Sequence, residues 1–105
     1  MTLRIHDEVL ELVARTRPVV EAIGRHDKDL ERQMRKAETS VVLNAREGDK
    51  QGRGKGKSRM EDAMGSADEV KGCLLAAVAH GYVGPQPDLV DGWDRVARVL
   101  NKLRR

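Results

Sequence analysis

The sequence predicts an all-α fold, an antiparallel up-and-down four-helix bundle that takes in residues 1–105 as one domain, and three observations carry that prediction. Apolar residues recur at steps of three and four in four successive segments. Aromatics make up only 2% of the chain, Tyr82 and Trp93, so the core must rest on Leu, Val, Ile, Met and Ala. That palette suits helix-on-helix packing, and no alternating runs of Thr, Tyr or Phe suggest a sheet. The stretches between the segments are short, which leaves consecutive helices little choice but to reverse direction.

In the first segment Ile5, Val9, Leu12, Thr16, Val19 and Ile23 form one face, and Gly24 is placed to stop the helix. Pro18 removes a backbone hydrogen bond there, which predicts a kink or break near Ala14 to Thr16. Asp27 is the predicted N-cap of the second helix, whose stripe is Leu30, Met34, Ala37, Val41 and Asn44 or Ala45, with its end near Glu47 and Gly48. "GDKQGRGKGKS", Gly48 to Ser58, then reads as a joint, with a flexible basic loop over 48–57.

"SRME", Ser58 to Glu61, matches a capping box and predicts the start of the third helix. Its stripe of Met60, Ala63, Ala67, Val70, Leu74, Ala77 and Gly81 has heptad spacing, with Gly81 as terminator. Cys73, between two stripe positions, reads as a small partly buried hydrophobe, and the small residues Gly65, Ser66, Ala67 and Gly72 would let a neighbouring helix approach closely. "GPQP", Gly84 to Pro87, breaks the chain again; Pro87 suits a first helical position, and Leu89, Trp93, Val96, Leu100 and Leu103 form the inner face of the fourth helix.

Charge is segregated along the chain, although the net is only +3. Arg46, Lys50, Arg53, Lys55, Lys57 and Arg59 face only Glu47 and Asp49 in their block, and Arg95, Arg98, Lys102, Arg104 and Arg105 close the chain without an acid. Between the two lies an acidic block, Met60 to Asp94, in which Lys71 is the sole base. Such an oriented field either steers an anionic partner or joins copies of the chain head to tail.

The Gly-Lys-Ser at Gly56 to Ser58 hints at a phosphate-cradling loop, but a Walker A motif needs glycine where Gln51 stands, and no strand precedes it. Two readings of the loop remain, a solvated linker or a segment that touches phosphates without base specificity through Lys50, Arg53, Lys55, Lys57 and Arg59. Arg32, Arg35 and Lys36 form a basic stripe on the second helix, open either to pairing with Glu31 and Glu38 or to binding. Arg98, Lys102, Arg104 and Arg105 exceed what a helix C-terminus needs for its dipole and are candidate phosphate contacts.

Ser40, Asn44, Glu47 and Glu69 read as structural polar residues, with Asn44 and Glu69 expected to satisfy each other or helix-end amides between helices two and three. No nucleophile or carboxylate constellation is visible, so neither enzymatic activity nor a cofactor is expected. His6, His26 and His80 offer no metal-ligand spacing, and Cys73 cannot form an internal disulfide. Without an apolar run long enough for a membrane span or a signal peptide, the expected setting is cytoplasmic, with no membrane partner.

"LERQMRKAETSVVLNAREG", Leu30 to Gly48, resembles a segment of the four-helix bundle proteins of the 23S ribosomal RNA intervening sequence family, at Leu30, Gln33, Arg35, Lys36, Ala37, Ser40, Asn44, Glu47 and Gly48. "GSADEVKGCLLAAVAHGYV", Gly65 to Val83, resembles that family's second signature, a Gly-Ser-small-x-Glu before an apolar run ending in Gly-Tyr. Where the family often has proline, this chain has Val42. The resemblance implies a non-catalytic bundle that assembles with itself into a ring, commonly a pentamer. Relatives in that family include the accessory protein of diversity-generating retroelements, which engages a reverse transcriptase and nucleic acid. The resulting expectation is a homo-oligomeric adaptor that binds RNA or DNA through phosphates. The rival expectation is a protein-interaction scaffold in which the acidic third helix of one copy meets the basic second or fourth helix of the next.

Overall fold

A computed structural model of the chain describes residues 4–51 and 54–104, the Lys55 side chain excepted. Four helices follow one another, α1 (Arg4–Gly24), α2 (Lys28–Gln51), α3 (Lys55–Ala79) and α4 (Pro87–Leu103), and no strand occurs among the described residues. Each helix packs on the next and α4 returns to α1, so the four close a ring around one core. Cross-helix contacts fix the antiparallel sense. His6 at the start of α1 meets Asp49 at the end of α2, Asp27 before α2 meets Tyr82 after α3, and Glu61 early in α3 meets Arg104 after α4. No helix among the described residues is long and apolar enough to cross a membrane.

The predicted stripes are the core. Met60, Ala63, Ala67, Val70, Leu74 and Ala77 of α3 are all buried, and Cys73 joins them. Trp93 is fully enclosed, its Nε1 donating to Thr16 Oγ1 at 3.1 Å while Thr16 donates to the Leu12 carbonyl at 2.7 Å. This chain of bonds satisfies the buried indole N–H and the buried threonine hydroxyl of the α1–α4 seam. Of the neighbours Val19 and Val20 in α1, Val20 is fully buried while Val19 is only half-buried. A strict seven-residue stripe drifts by about 20° per heptad around a straight helix, and Val20 takes over the inner face as it does. Leu103 is 38% exposed, so the inner face of α4 ends at Leu100.

Four expectations are corrected, three of them about helix boundaries. The break foreseen at Pro18 does not occur, and α1 runs unbroken to Gly24. Pro18 and Ala14, whose carbonyl loses its amide partner, are both exposed, where water can take the freed acceptor. Gly48 does not end α2, which continues to Gln51. Positive φ among the described residues occurs at Gly54 and Gly81 alone. Gly48 serves close approach instead: a Cβ on it would lie 3.0 Å from the Gly56 carbonyl oxygen, and a Cβ on Gly56 would collide with the Gly48 carbonyl.

The third correction is that α3 starts at Lys55, after Gly54 at φ 82°, so Ser58 already lies inside the helix and no side chain caps its start. Of the basic loop expected over 48–57, residues 48–51 are therefore helical in α2 and 55–57 helical in α3. Fourth, Asn44 and Glu69 do not pair. Asn44 Nδ2 donates to the Ser40 carbonyl and hydroxyl, each at 3.0 Å, and Glu69 stays exposed.

Gly24 ends α1 as expected but not in the left-handed conformation of a glycine stop; the other ends follow expectation. Asp27 caps α2, its Oδ1 accepting from the Leu30 amide at 2.9 Å. Past Ala79, Gly81 at φ 78° lets its own amide reach the Val78 carbonyl and the Tyr82 amide reach the Ala77 carbonyl, at 3.0 Å each, closing α3 with paired end bonds. Pro87 stands at the start of α4.

Candidate nucleic-acid interface

Ion pairing divides the basic residues into two groups. Arg32 pairs with Asp29 and Arg35 with Glu31 Oε2 at 3.0 Å, both within α2, and these bonds hold the two carboxyls below the usual range. Arg98 lies 3.3 Å from Asp94, and Arg104 lies 3.5 Å from Glu61. Asp94 is held low chiefly by its hydrogen bond from Lys71. Acids from neighbouring turns and helices thus answer much of the basic tail that looks unopposed in the sequence.

The second group is exposed and makes no ion pair among the described residues: Lys36, Arg46, Lys50, Lys57, Arg59 and Lys102, together with Arg4, Arg15 and Arg25 on or just after α1. Arg53 and Arg105 lie outside the described residues, as does the side chain of Lys55. Helix α2 brings Arg46 and Lys50 to one side at an i, i+4 step. The antiparallel run of α3 sets Arg59 beside them, its guanidinium donating to Asn44 Oδ1 at 3.3 Å. Together they line a cleft of about 700 Å³ with His6, Leu43, Asn44, Glu47 and Asp49.

The cleft's root is structural. His6 is buried, its Nε2 3.2 Å from Asp49 Oδ2, and this contact ties the start of α1 to the end of α2. Glu47 accepts from Gln51 Nε2 at 3.0 Å, one turn on. Three cations against two carboxylates leave the walls net positive. Nothing in the cleft forms a nucleophile–base pair, and the described residues hold no cluster of three metal-ligating side chains. The walls carry three exposed cations, Arg46, Lys50 and Arg59, while the Asn44 amide is taken up by Ser40.

A second depression of about 290 Å³ follows the α2–α3 groove, lined by Arg32, Gln33, Lys36, Ser40, Ser66 and Glu69 among others. Ser40 Oγ and Ser66 Oγ stand 2.7 Å apart across it. Lys102 lies apart, with Arg95 and Arg98 in a shallow hollow on α4. Loop and tail residues thus do not form one site: the cleft gathers Lys50 and Arg59, the groove gathers Arg32 and Lys36, and the tail stands on another helix.

Sequence reasoning passes over four features. Arg46 is visible as part of the basic block, whereas Ser66 shows only as a small residue. His6 carries no signal, because its partner is 43 residues away. His26 and His80, scattered in sequence, both stack on Tyr82 at the opposite end of the bundle, with ring centroids 5.3 and 5.1 Å away. No family model matches the chain, and neither the curated proteins nor the solved structures provide a significant match.

Proposed function

We propose that this chain is a non-enzymatic helical-bundle protein that assembles with itself and holds nucleic acid through phosphates, without base specificity, at the end of the bundle where α2 turns into α3. The observation that carries the reading is the convergence of unpaired cations there. Arg46, Lys50 and Arg59 share a cleft, and Lys57 is exposed in the first turn of α3. The opposite arrangement prevails at Arg32 and Arg35, where each guanidinium already has a carboxylate. Each cation that neutralises a phosphate releases a condensed counterion, so such binding is favourable and steeply salt-dependent. The likeness of Leu30 to Gly48 and Gly65 to Val83 to the intervening sequence family supports a ring of copies acting as adaptor for a nucleic-acid enzyme such as a reverse transcriptase.

The test is binding to a mixed-sequence strand across a salt series, for the natural chain and for a variant with Lys50, Arg53, Lys55 and Lys57 all replaced by serine. The variant binds more weakly, and the slope of log affinity against log salt flattens by roughly 0.7 for each phosphate that is no longer neutralised. Unchanged binding overturns the reading. Light scattering on the same samples reports assembly, and a monomer at every salt concentration removes the ring.

A further inference from the structure

Leu43 is the most exposed large apolar side chain of the described residues, at 61%, and it lines the same cleft as the unpaired cations. Seven-residue steps place Lys36, Leu43 and Lys50 in line on the side of α2 turned from the core, so an apolar surface lies between two free ammonium groups. The two depressions beside this line adjoin through bonded side chains. Asn44, in the cleft, donates to Ser40, in the groove, and Ser40 bridges to Ser66 on α3. From Lys36 to Lys50 the helix rises about 21 Å at 1.5 Å per residue, enough for several nucleotides of an extended strand.

We propose that one single strand of nucleic acid lies along the α2–α3 groove, its phosphates on Lys36, Arg46, Lys50 and Arg59 and a base resting on Leu43. This deepens the nucleic-acid reading and rests on it. A duplex keeps its bases stacked inside, so it can offer Leu43 only its backbone and cannot follow the groove with one chain. An unstacked strand offers both phosphates and apolar base faces. Glu69 on the α3 bank repels phosphate and so keeps the backbone nearer α2 beside Lys36, while Arg59 of α3 meets it at the cleft end. Of the Ser40 and Ser66 hydroxyls along the floor, whichever accepts in their mutual bond keeps its own proton to donate, which suits a ligand read by its backbone.

Fluorescence anisotropy with a labelled homopyrimidine strand, and with the same strand in a duplex, tests the groove on the full chain. Two variants are compared, Lys36→Glu and Leu43→Ser; both positions are exposed, and circular dichroism verifies the fold of each. Single strand binds the natural chain more tightly than duplex, and each variant weakens single-strand binding by roughly fivefold to tenfold. Leu43→Ser leaves the charge unaltered, so a loss there separates a seated strand from loose attraction to a basic end.

If the natural chain binds the strand and the Leu43→Ser variant binds it equally well, the groove is wrong while the phosphate reading stands. Equal or tighter binding of duplex overturns the groove in the same way. Displacement of the strand by poly-glutamate at matched charge concentration also overturns it, by making the surface a seat for acidic peptides. No binding of either nucleic acid to the natural chain removes both proposals.

Discussion

The two seams of α2 are built from different chemistry. Toward α3 the helix presents neutral groups and small residues: Ser40 bonds Ser66, Asn44 bonds Ser40 and accepts from Arg59, and Gly48 meets Gly56 with the two backbones almost in contact. Toward α1 it presents carboxylates. Glu31 lies against Gly24, Asp49 meets His6, and Glu38 falls between them at steps of seven and eleven residues, whole turns that place it on the same face. Glu38 is buried, and its Oε2 has no hydrogen-bond partner among the described residues. One seam is therefore held by shape and satisfied neutral bonds, and the other carries titratable charge. The first should resist changes of pH and yield to changes of volume; the second should do the reverse.

The largest break falls on the first seam. Gly56→Ala puts a methyl group onto the Gly48 carbonyl, and neither partner is a flexible side chain that can swing aside. The helices must separate locally, which also loosens Met60 and Ala63 behind the crossing. Overpacking at a backbone contact costs about 3 kcal/mol. Urea denaturation measures it, and a loss below about 1 kcal/mol would mean that the two backbones are not in contact.

This glycine pair also explains where the sequence misleads. A glycine that turns the chain and one that admits a neighbour look identical in sequence, and Gly48 reads as a stop when it is an approach. A stop at Gly48 lengthens the expected loop to ten residues and gives Ser58 the look of a cap. The helical faces are legible because burial follows a period that the residues display directly, as the Met60 to Ala77 stripe does. The candidate site is legible only as a surplus of charge. Which cations are free depends on partners brought from elsewhere, such as Glu8, 87 residues from Arg95, and no local pattern reports them.

The second seam breaks through pH. Burial pushes the Glu38 carboxyl up to about 7, against the lowering effect of the Arg35 charge, from an ordinary 4.5. The folded state therefore holds this proton more tightly than the unfolded chain does. The stability it contributes is complete below about pH 4.5 and is lost as pH rises through about 7. Glu38→Gln keeps the shape and removes the titration. The variant should match the natural chain in acid and exceed it by about 2 kcal/mol near pH 8, where the natural chain holds an unpaired buried charge. Denaturation at the two pH values reads this difference, and a gain that does not change with pH would assign the effect to packing rather than to the proton.

The smallest effect sharpens the contrast. Ser66→Ala removes the hydroxyl that meets Ser40 across the α2–α3 groove at 2.7 Å. Ser40 keeps its bond from Asn44, and the groove is open enough for water to replace the missing partner. Alanine is also the better helix former, which offsets part of the bond's removal. The net change should be within about 0.5 kcal/mol and equal in acid and base, since no group in that contact titrates. A pH-dependent loss at Ser66 would show that Glu69, on the same groove, is coupled to it, and the neutral seam would then be as charged as its neighbour.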